Sequence, residues 1–211
     1  MKEDSVPSQK PRSMFRSFVL ADLITLANAS CGMAAIFLCL NQAPGAYGPN
    51  FWIVFVLLPL ALICDILDGL IARRLASHSP LGADLDSLAD IVSFGVAPAV
   101  LGFTLGLRGP WDELILIYFV VCGISRLARF NVTAPSLADR SGKVKYYEGT
   151  PIPTSIVIVA FLGIAYWRGC VDTHILFGSF SIGPWSFHPF VIVYAISGSA
   201  MISSTILIPK P

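Results

Sequence analysis

Six stretches of this 211-residue chain, roughly 19–41, 52–74, 85–106, 113–132, 152–168 and 188–208, are apolar over the length a bilayer-crossing helix requires. About 20 mostly apolar residues in a helix span the hydrocarbon. The fifth stretch is the shortest and is preceded by prolines, so it carries the weakest signal. Overall 55% of the residues are hydrophobic and 13% charged, against roughly 25% charged in an average soluble domain. A soluble chain needs charged surface to stay dispersed, and these stretches offer none. The expected fold is therefore an all-α integral membrane protein of six transmembrane helices. Residues 1–18 form a leader and 19–211 a single six-helix domain. The apolar run after the leader is long and lacks a small-residue cleavage site, so it reads as a retained first span. Phe and Arg mixed at Met14–Phe18 suit a short interfacial helix.

Orientation follows from Lys and Arg, which are in excess in cytoplasmic loops. With six spans, one side takes Lys2, Lys10, Arg12, Arg16, Arg73, Arg74, Arg126, Arg129, Arg140, Lys143, Lys145 and Lys210, and the other only Arg108 and Arg168. Twelve of the 14 basic residues on one side place both termini in the cytoplasm. The net charge of +1 points to no nucleic acid. Cys31, Cys39, Cys64, Cys122 and Cys170 show no metal-ligand spacing and read as apolar packing residues. His78, His174 and His188 are isolated and read as loop or interface residues. Trp52, Trp111, Trp167 and Trp185 fall near the membrane surfaces as belt anchors.

Against this background five of the 13 acidic residues, Asp65, Asp68, Asp84, Asp86 and Asp90, crowd into 26 largely apolar positions. An Asp at a helix centre costs about 2.5–3.5 kcal/mol, so four cost on the order of 10 kcal/mol unless cations meet them. Residues three, four and seven apart share a helix face, so Asp65, Asp68, Gly69 and Ala72 line one stripe of span two. Gly82, Asp86 and Asp90 line one stripe of span three. The connection between the two spans is short, so they are antiparallel neighbours and their stripes turn toward one cavity at the cytoplasmic side. Asp84 is about 200° around the helix from Asp86 and reads as a first-turn anion on the helix dipole.

Converging carboxylates without a matching His or Cys cluster suit a hard cation with oxygen ligands: Mg, Mn or Ca. Four negative charges balance two divalent ions, and two metals sharing carboxylates make a clamp for phosphoryl oxygens. Arg73 near the end of span two is placed to pair with a substrate phosphate. Gly69 and Gly82 leave the helix surfaces bare for a bulky ligand. Two other readings compete: interhelical polar contacts that only hold the bundle together, and an ion-coupled transporter, which also buries carboxylates.

Written out, the segment is Asp65-x-x-Asp68-Gly69-x-x-Ala72-Arg73, eight residues, then Gly82-x-x-x-Asp86-x-x-x-Asp90. It resembles the signature of the CDP-alcohol phosphatidyltransferase family at every fixed position and spacing. The resemblance implies a six-helix fold, usually a homodimer, in the cell (inner) membrane with its active site facing the cytoplasm. It implies two divalent metals, Mg or Mn with Ca admitted at one site. Asp65, Asp68 and Asp86 would be ligands, and Asp90 a ligand and the general base. Gly69, Ala72, Arg73 and Gly82 correspond to positions that receive the CDP-lipid, CDP-diacylglycerol. The face of span one bearing Thr25, Asn28 and Gly32 resembles the family's first helix, and Thr25 and Asn28 would border the nucleotide.

Three further segments, Ser93-Phe94-Gly95-Val96-Ala97-Pro98, Arg126-Leu127-Ala128-Arg129-Phe130-Asn131 and Tyr147-Glu148-Gly149-Thr150-Pro151-Ile152-Pro153, resemble the branch whose acceptor is L-serine. Glycerol phosphate, inositol phosphate and choline are the alternative acceptors. Arg126 or Arg129, with Asn131, would hold the acceptor carboxylate. Snorkelling at a helix end is the plainer explanation of the two arginines.

Overall fold

The computed structural model describes residues 20–43, 46–75, 81–137, 146–203 and 207–209. The leader, the proposed interfacial helix at Met14–Phe18, and positions 76–80 and 138–145 of the two polar connections lie outside the described residues. Helices dominate: α1 (Leu20–Leu40), α2 (Val54–Leu75), α3 (Gly82–Asp90), α4 (Ala97–Thr104), α5 (Pro110–Leu137), α6 (Ile156–Trp167) and α7 (Ile192–Ile202). Among the described residues, four helical segments are long and apolar enough to cross a membrane: Leu20–Leu40, Pro49–Arg74, Gly82–Thr104 and Pro110–Thr133. Two shorter apolar ones, Ile152–Trp167 and Pro189–Ile202, occupy the places of the fifth and sixth expected spans. These are the marks of a helical membrane protein. Large apolar side chains lie exposed along the helices, as with Phe37 at 59%, Val56 at 64% and Ile117 at 60%. Lipid tails are an apolar solvent for such faces.

The third expected span is one rod with a fault in it. Between α3 and α4, Ile91–Val96 forms a π-helical turn, and the N–H of Ala97 donates to the carbonyl of Val92, five residues back. Pro98 lies just beyond and has no N–H to give to the carbonyl of Phe94, so the wider turn falls where the α-helical ladder is already broken. It begins immediately after Asp90. The sixth apolar stretch is shorter than the sequence suggested, because α7 stops at Ile202 and Leu207–Pro209 runs as a strand, β4. β4 pairs antiparallel with β1 (Tyr146–Glu148), Tyr147 opposite Ile208. The last turn of α7 is capped from outside: the N–H of Thr150 donates to the Ala200 carbonyl at 3.1 Å. Gly149 makes this approach possible. It has a φ of +75°, and a Cβ there would lie 2.2 Å from the Met201 carbonyl oxygen.

α1 packs chiefly along α2 and also meets α3, the π turn and α4; α5 packs on α7, and α6 on α2 and α4. At one end of the bundle the connections are tied together. The Tyr47 hydroxyl sits 3.0 Å from the Thr104 carbonyl and 3.1 Å from Asp172 Oδ1. Trp111 stacks edge-on against Trp185 of a hairpin formed by β2 (Phe180–Ile182) and β3 (Trp185–Phe187). His188 is not isolated: it is buried, and its ring Nδ1 lies 2.5 Å from Asp112 Oδ2. Its partner is 76 residues away in sequence, so no local pattern announced the pair. The opposite end gathers the last turn of α2, the start of α3, the end of α5 and residues 149–155.

Candidate active site

The acids converge at that second end. One carboxylate oxygen from each of Asp65, Asp68 and Asp86 lies within 4.8 Å of the others. Both contributing helices present them by simple periodicity: Asp65 and Asp68 are three apart on α2, and Asp86 sits one turn into α3. At an effective dielectric of about 20, two unit charges that close repel by about 3 kcal/mol, and three such pairs by about 10 kcal/mol. A group like this fits a divalent cation, and its all-oxygen donor set fits a hard one. Asp90 stands beside them on the next turn, 6% exposed and close enough to interact with Asp65, Asp86 and Asp68.

Helix α1 supplies the donors. The Thr25 hydroxyl donates to Asp68 Oδ2 at 2.5 Å, and the Asn28 amide donates to Asp90 Oδ1 at 3.3 Å. Both side chains are buried. Gly32, one turn further, is the point of closest approach: a Cβ there would lie 2.4 Å from Ser93 Oγ and 2.8 Å from Ser93 Cα. Gly69 is the converse, with nothing within 4 Å of where its Cβ would be. Ala72 follows on α2, half-buried, and Gly82 opens α3. The Arg73 Nε donates back to the Gly69 carbonyl at 3.0 Å, which holds an exposed guanidinium beside that open surface.

The three residues of the expected acceptor pocket point in different directions. Arg126 is buried, stacks over the Phe130 ring at 5.4 Å and interacts with Asp86. Arg129 reaches the Ile202 carbonyl at 3.5 Å. Asn131 accepts from the Ser87 hydroxyl at 3.1 Å and donates to Asp84 Oδ1 at 3.4 Å. Asp84 is thus exposed in the first turn of α3, away from the other acids, as its angular position requires. Sequence reasoning passed over Asp22. It is 3% exposed and electrostatically coupled to Asp68. The signal was there: Asp22, Thr25, Asn28 and Gly32 fall at spacings of three, three and four, one buried face of α1.

A bundle of membrane-length helices that buries converging carboxylates, with a small-residue opening beside them, defines a class: helical membrane proteins with a buried carboxylate cluster whose oxygens fit a hard cation. The particular assignment comes from comparison. A family model for CDP-alcohol phosphatidyltransferases matches residues 18–196, and the chain belongs to that family. Its members use divalent metals, in keeping with the acid cluster. The chain is 41% identical over 207 residues to a CDP-diacylglycerol–serine O-phosphatidyltransferase of Saccharomyces cerevisiae, covering 94% of this chain and 73% of the relative. It is 36% identical over 149 residues to an archaetidylserine synthase of Methanothermobacter thermautotrophicus, 68% and 58% of the two lengths. A CDP-diacylglycerol–serine O-phosphatidyltransferase of Methanocaldococcus jannaschii is 35% identical over 150 residues, 71% and 63%. The match therefore spans between 58% and 73% of these relatives' own lengths.

Proposed function

We propose that the protein is a phosphatidylserine synthase, which transfers the phosphatidyl group of CDP-diacylglycerol to the hydroxyl of L-serine and releases CMP. The observation that carries this reading is the convergence of Asp65, Asp68 and Asp86 with Asp90 beside them, in a chain whose relatives bear that name. Asp65, Asp68 and Asp86 hold divalent metal, and Asp90 is both a ligand and the base. These acids would hold two ions, Mg or Mn, with Ca admitted at one. Bound there, they offset the charge of the pyrophosphate. The serine oxygen forms a bond to the phosphorus nearest the lipid, the bond from that phosphorus to the bridging oxygen breaks, and CMP carries that oxygen away. The hydroxyl proton passes to Asp90, because a hydroxyl is a poor nucleophile at neutral pH.

The open surface at Gly69, with Ala72, Arg73 and Gly82, takes the cytidine diphosphate. Thr25 and Asn28 border it from α1. For the acceptor carboxylate, Arg126 is favoured by its burial next to Asp86; Arg129 reaches the Ile202 carbonyl and Asn131 bonds Ser87. A planar guanidinium offers a carboxylate two parallel hydrogen bonds. Six crossings, cytoplasmic termini, a cytoplasmic Thr133–Thr150 loop, one domain over 19–211 and a homodimer in the cell (inner) membrane complete the proposal. Arg73, Arg74, Arg126 and Arg129 at the acid-bearing end, against Arg108 and Arg168 at the other, support the orientation. Cysteine placed at Ser136 should resist labelling from outside intact cells.

Purified protein in detergent with CDP-diacylglycerol, Mn or Mg and each acceptor in turn is the deciding experiment. Serine should accelerate CMP release most. Faster release with glycerol phosphate or inositol phosphate moves the protein to another branch, and no release with any acceptor returns the site to ion coupling.

A further inference from the structure

Among the described residues, the group of carboxylates with mutually close ligand atoms comprises Asp65, Asp68 and Asp86 and does not include Asp90. Asp90 adjoins that group through a side-chain hydrogen bond with Asp65, and it is engaged from α1 as well, its Oδ1 taking the N–H of Asn28 at 3.3 Å. We propose that Asn28 is a positioning residue for Asp90: by holding Oδ1 on the α1 side its amide fixes the rotation of the Asp90 carboxylate at the edge of the acid group, so that the second oxygen is presented to the acceptor's proton. This inference rests on the transferase reading above.

Asn28 is itself held from two sides. Its backbone carbonyl accepts the Ser93 hydroxyl at 2.9 Å, and both residues are 0% exposed. Ser93 lies three residues past Asp90, on the same face of its helix, so one strip of that helix meets α1 through Asp90 and Ser93 together. The absence of a side chain at Gly32 brings the two helices close at Ser93, which fixes how far Asp90 stands from α1. Within that contact the Asn28 amide has little freedom to turn. Its N–H faces a carboxylate, the only arrangement in which an ionised acid accepts a bond.

The other half of the amide shows that packing alone does not account for this residue. Asn28 Oδ1 is buried and has no hydrogen-bond partner among the described residues. A buried acceptor left without a donor is costly, and an apolar side chain of similar volume would fill the space without that cost. The N–H donated to Asp90 is what the amide supplies and a leucine does not. A bond to one oxygen fixes rotation of the carboxylate about its last torsion. That rotation determines which way the base presents its second oxygen, and groups that orient site residues in this way typically matter tenfold to hundredfold.

Asn28→Leu keeps the branched shape and removes the donor, and Asn28→Ala removes both. The readouts are kcat, KM for CDP-diacylglycerol and for serine, Mn affinity by calorimetry, CMP binding, and Tm in detergent. Both variants should lose kcat roughly tenfold to hundredfold, with the lipid KM, Mn affinity and CMP binding near the parental values. Parental kcat in Asn28→Leu overturns the proposal. A raised lipid KM and weakened CMP binding with kcat retained also overturn it, making Asn28 a nucleotide contact. If neither variant folds, Ser93→Ala loosens the strap while leaving the amide, and should lower kcat about threefold with Mn affinity unchanged; an unaltered kcat there overturns it. A parent that releases no CMP with any acceptor defeats the transferase reading itself, and no Asn28 variant produces that result.

Discussion

Asp112 and Asp68 are both buried in the helix bundle, at opposite ends, and their surroundings differ in kind. Asp112 is 0% exposed and its carboxylate is enclosed by donors: the N–H of Gly109 at 2.8 Å, the N–H of His188 at 2.9 Å and the His188 ring at 2.5 Å. Asp172 at the same end is met by the Tyr47 hydroxyl while its own N–H donates to the Leu105 carbonyl at 2.7 Å. Burial, and after it the Asp172 carboxylate, pushes the Tyr47 phenol upward, so it stays a donor. At the other end Asp68 receives Thr25, but its carboxylate also faces two more of its own kind. An acid ringed by donors is neutralised where it stands and serves as a pin. Acids that face one another remain short of positive charge until a ligand brings it. Burial alone does not tell the two apart; the partners do.

The largest effect that should separate the ends is at Asp90. Asp90→Asn is expected to lower CMP release at least about a hundredfold, the usual contribution of a general base, while nucleotide-lipid binding persists. Asp68→Asn should in addition lose metal-dependent binding, measured by Mn titration. Turnover in Asp90→Asn equal to the parent would remove the base assignment.

Next comes Arg126→Lys, expected to raise the serine KM roughly tenfold to hundredfold with the lipid KM little changed, as the loss of one charge-assisted bond implies. Arg129→Lys, whose parent side chain reaches Ile202, should change it far less. A parental serine KM in Arg126→Lys would put the acceptor carboxylate elsewhere.

At the pinned end the effect should move from turnover to stability. Asp112→Asn leaves the same volume but turns an all-acceptor group into one that meets a donor with a donor. It should cost about 1–3 kcal/mol, read as a lower Tm in detergent, with kcat per folded enzyme retained. A fall in kcat at unchanged Tm would break the contrast between the two ends. Tyr47→Phe, which removes one shared hydroxyl, should cost about 1 kcal/mol and leave kinetics untouched.

Much of the site was legible before any tertiary information. The stripes Asp65–Asp68 and Asp86–Asp90, the position of Asp84 off the stripe and the long apolar segments all follow from 3.6 residues per turn, which holds within each helix whatever it packs against. Less was legible on α1. Spacing put Thr25 and Asn28 on the face expected to border the nucleotide, but it did not announce that their side chains bond Asp68 and Asp90. Arg126 and Arg129 share a side of α5 by spacing, yet one meets Asp86 and the other Ile202.

The sequence by itself determined which residues share a face, which segments prefer lipid, and that several carboxylates had to meet something positive. Those are properties of one helix and its solvent. Only the tertiary structure decided which faces meet: the closeness of α1 to the π turn at Gly32 and Ser93, the pairing of Asp112 with His188, the early stop of α7 under the Thr150 N–H, and the hold of Asn28 on Asp90. Each depends on the rotation and depth of one helix against another. Packing of side chains distant in sequence sets both, and no periodicity along a single segment encodes them.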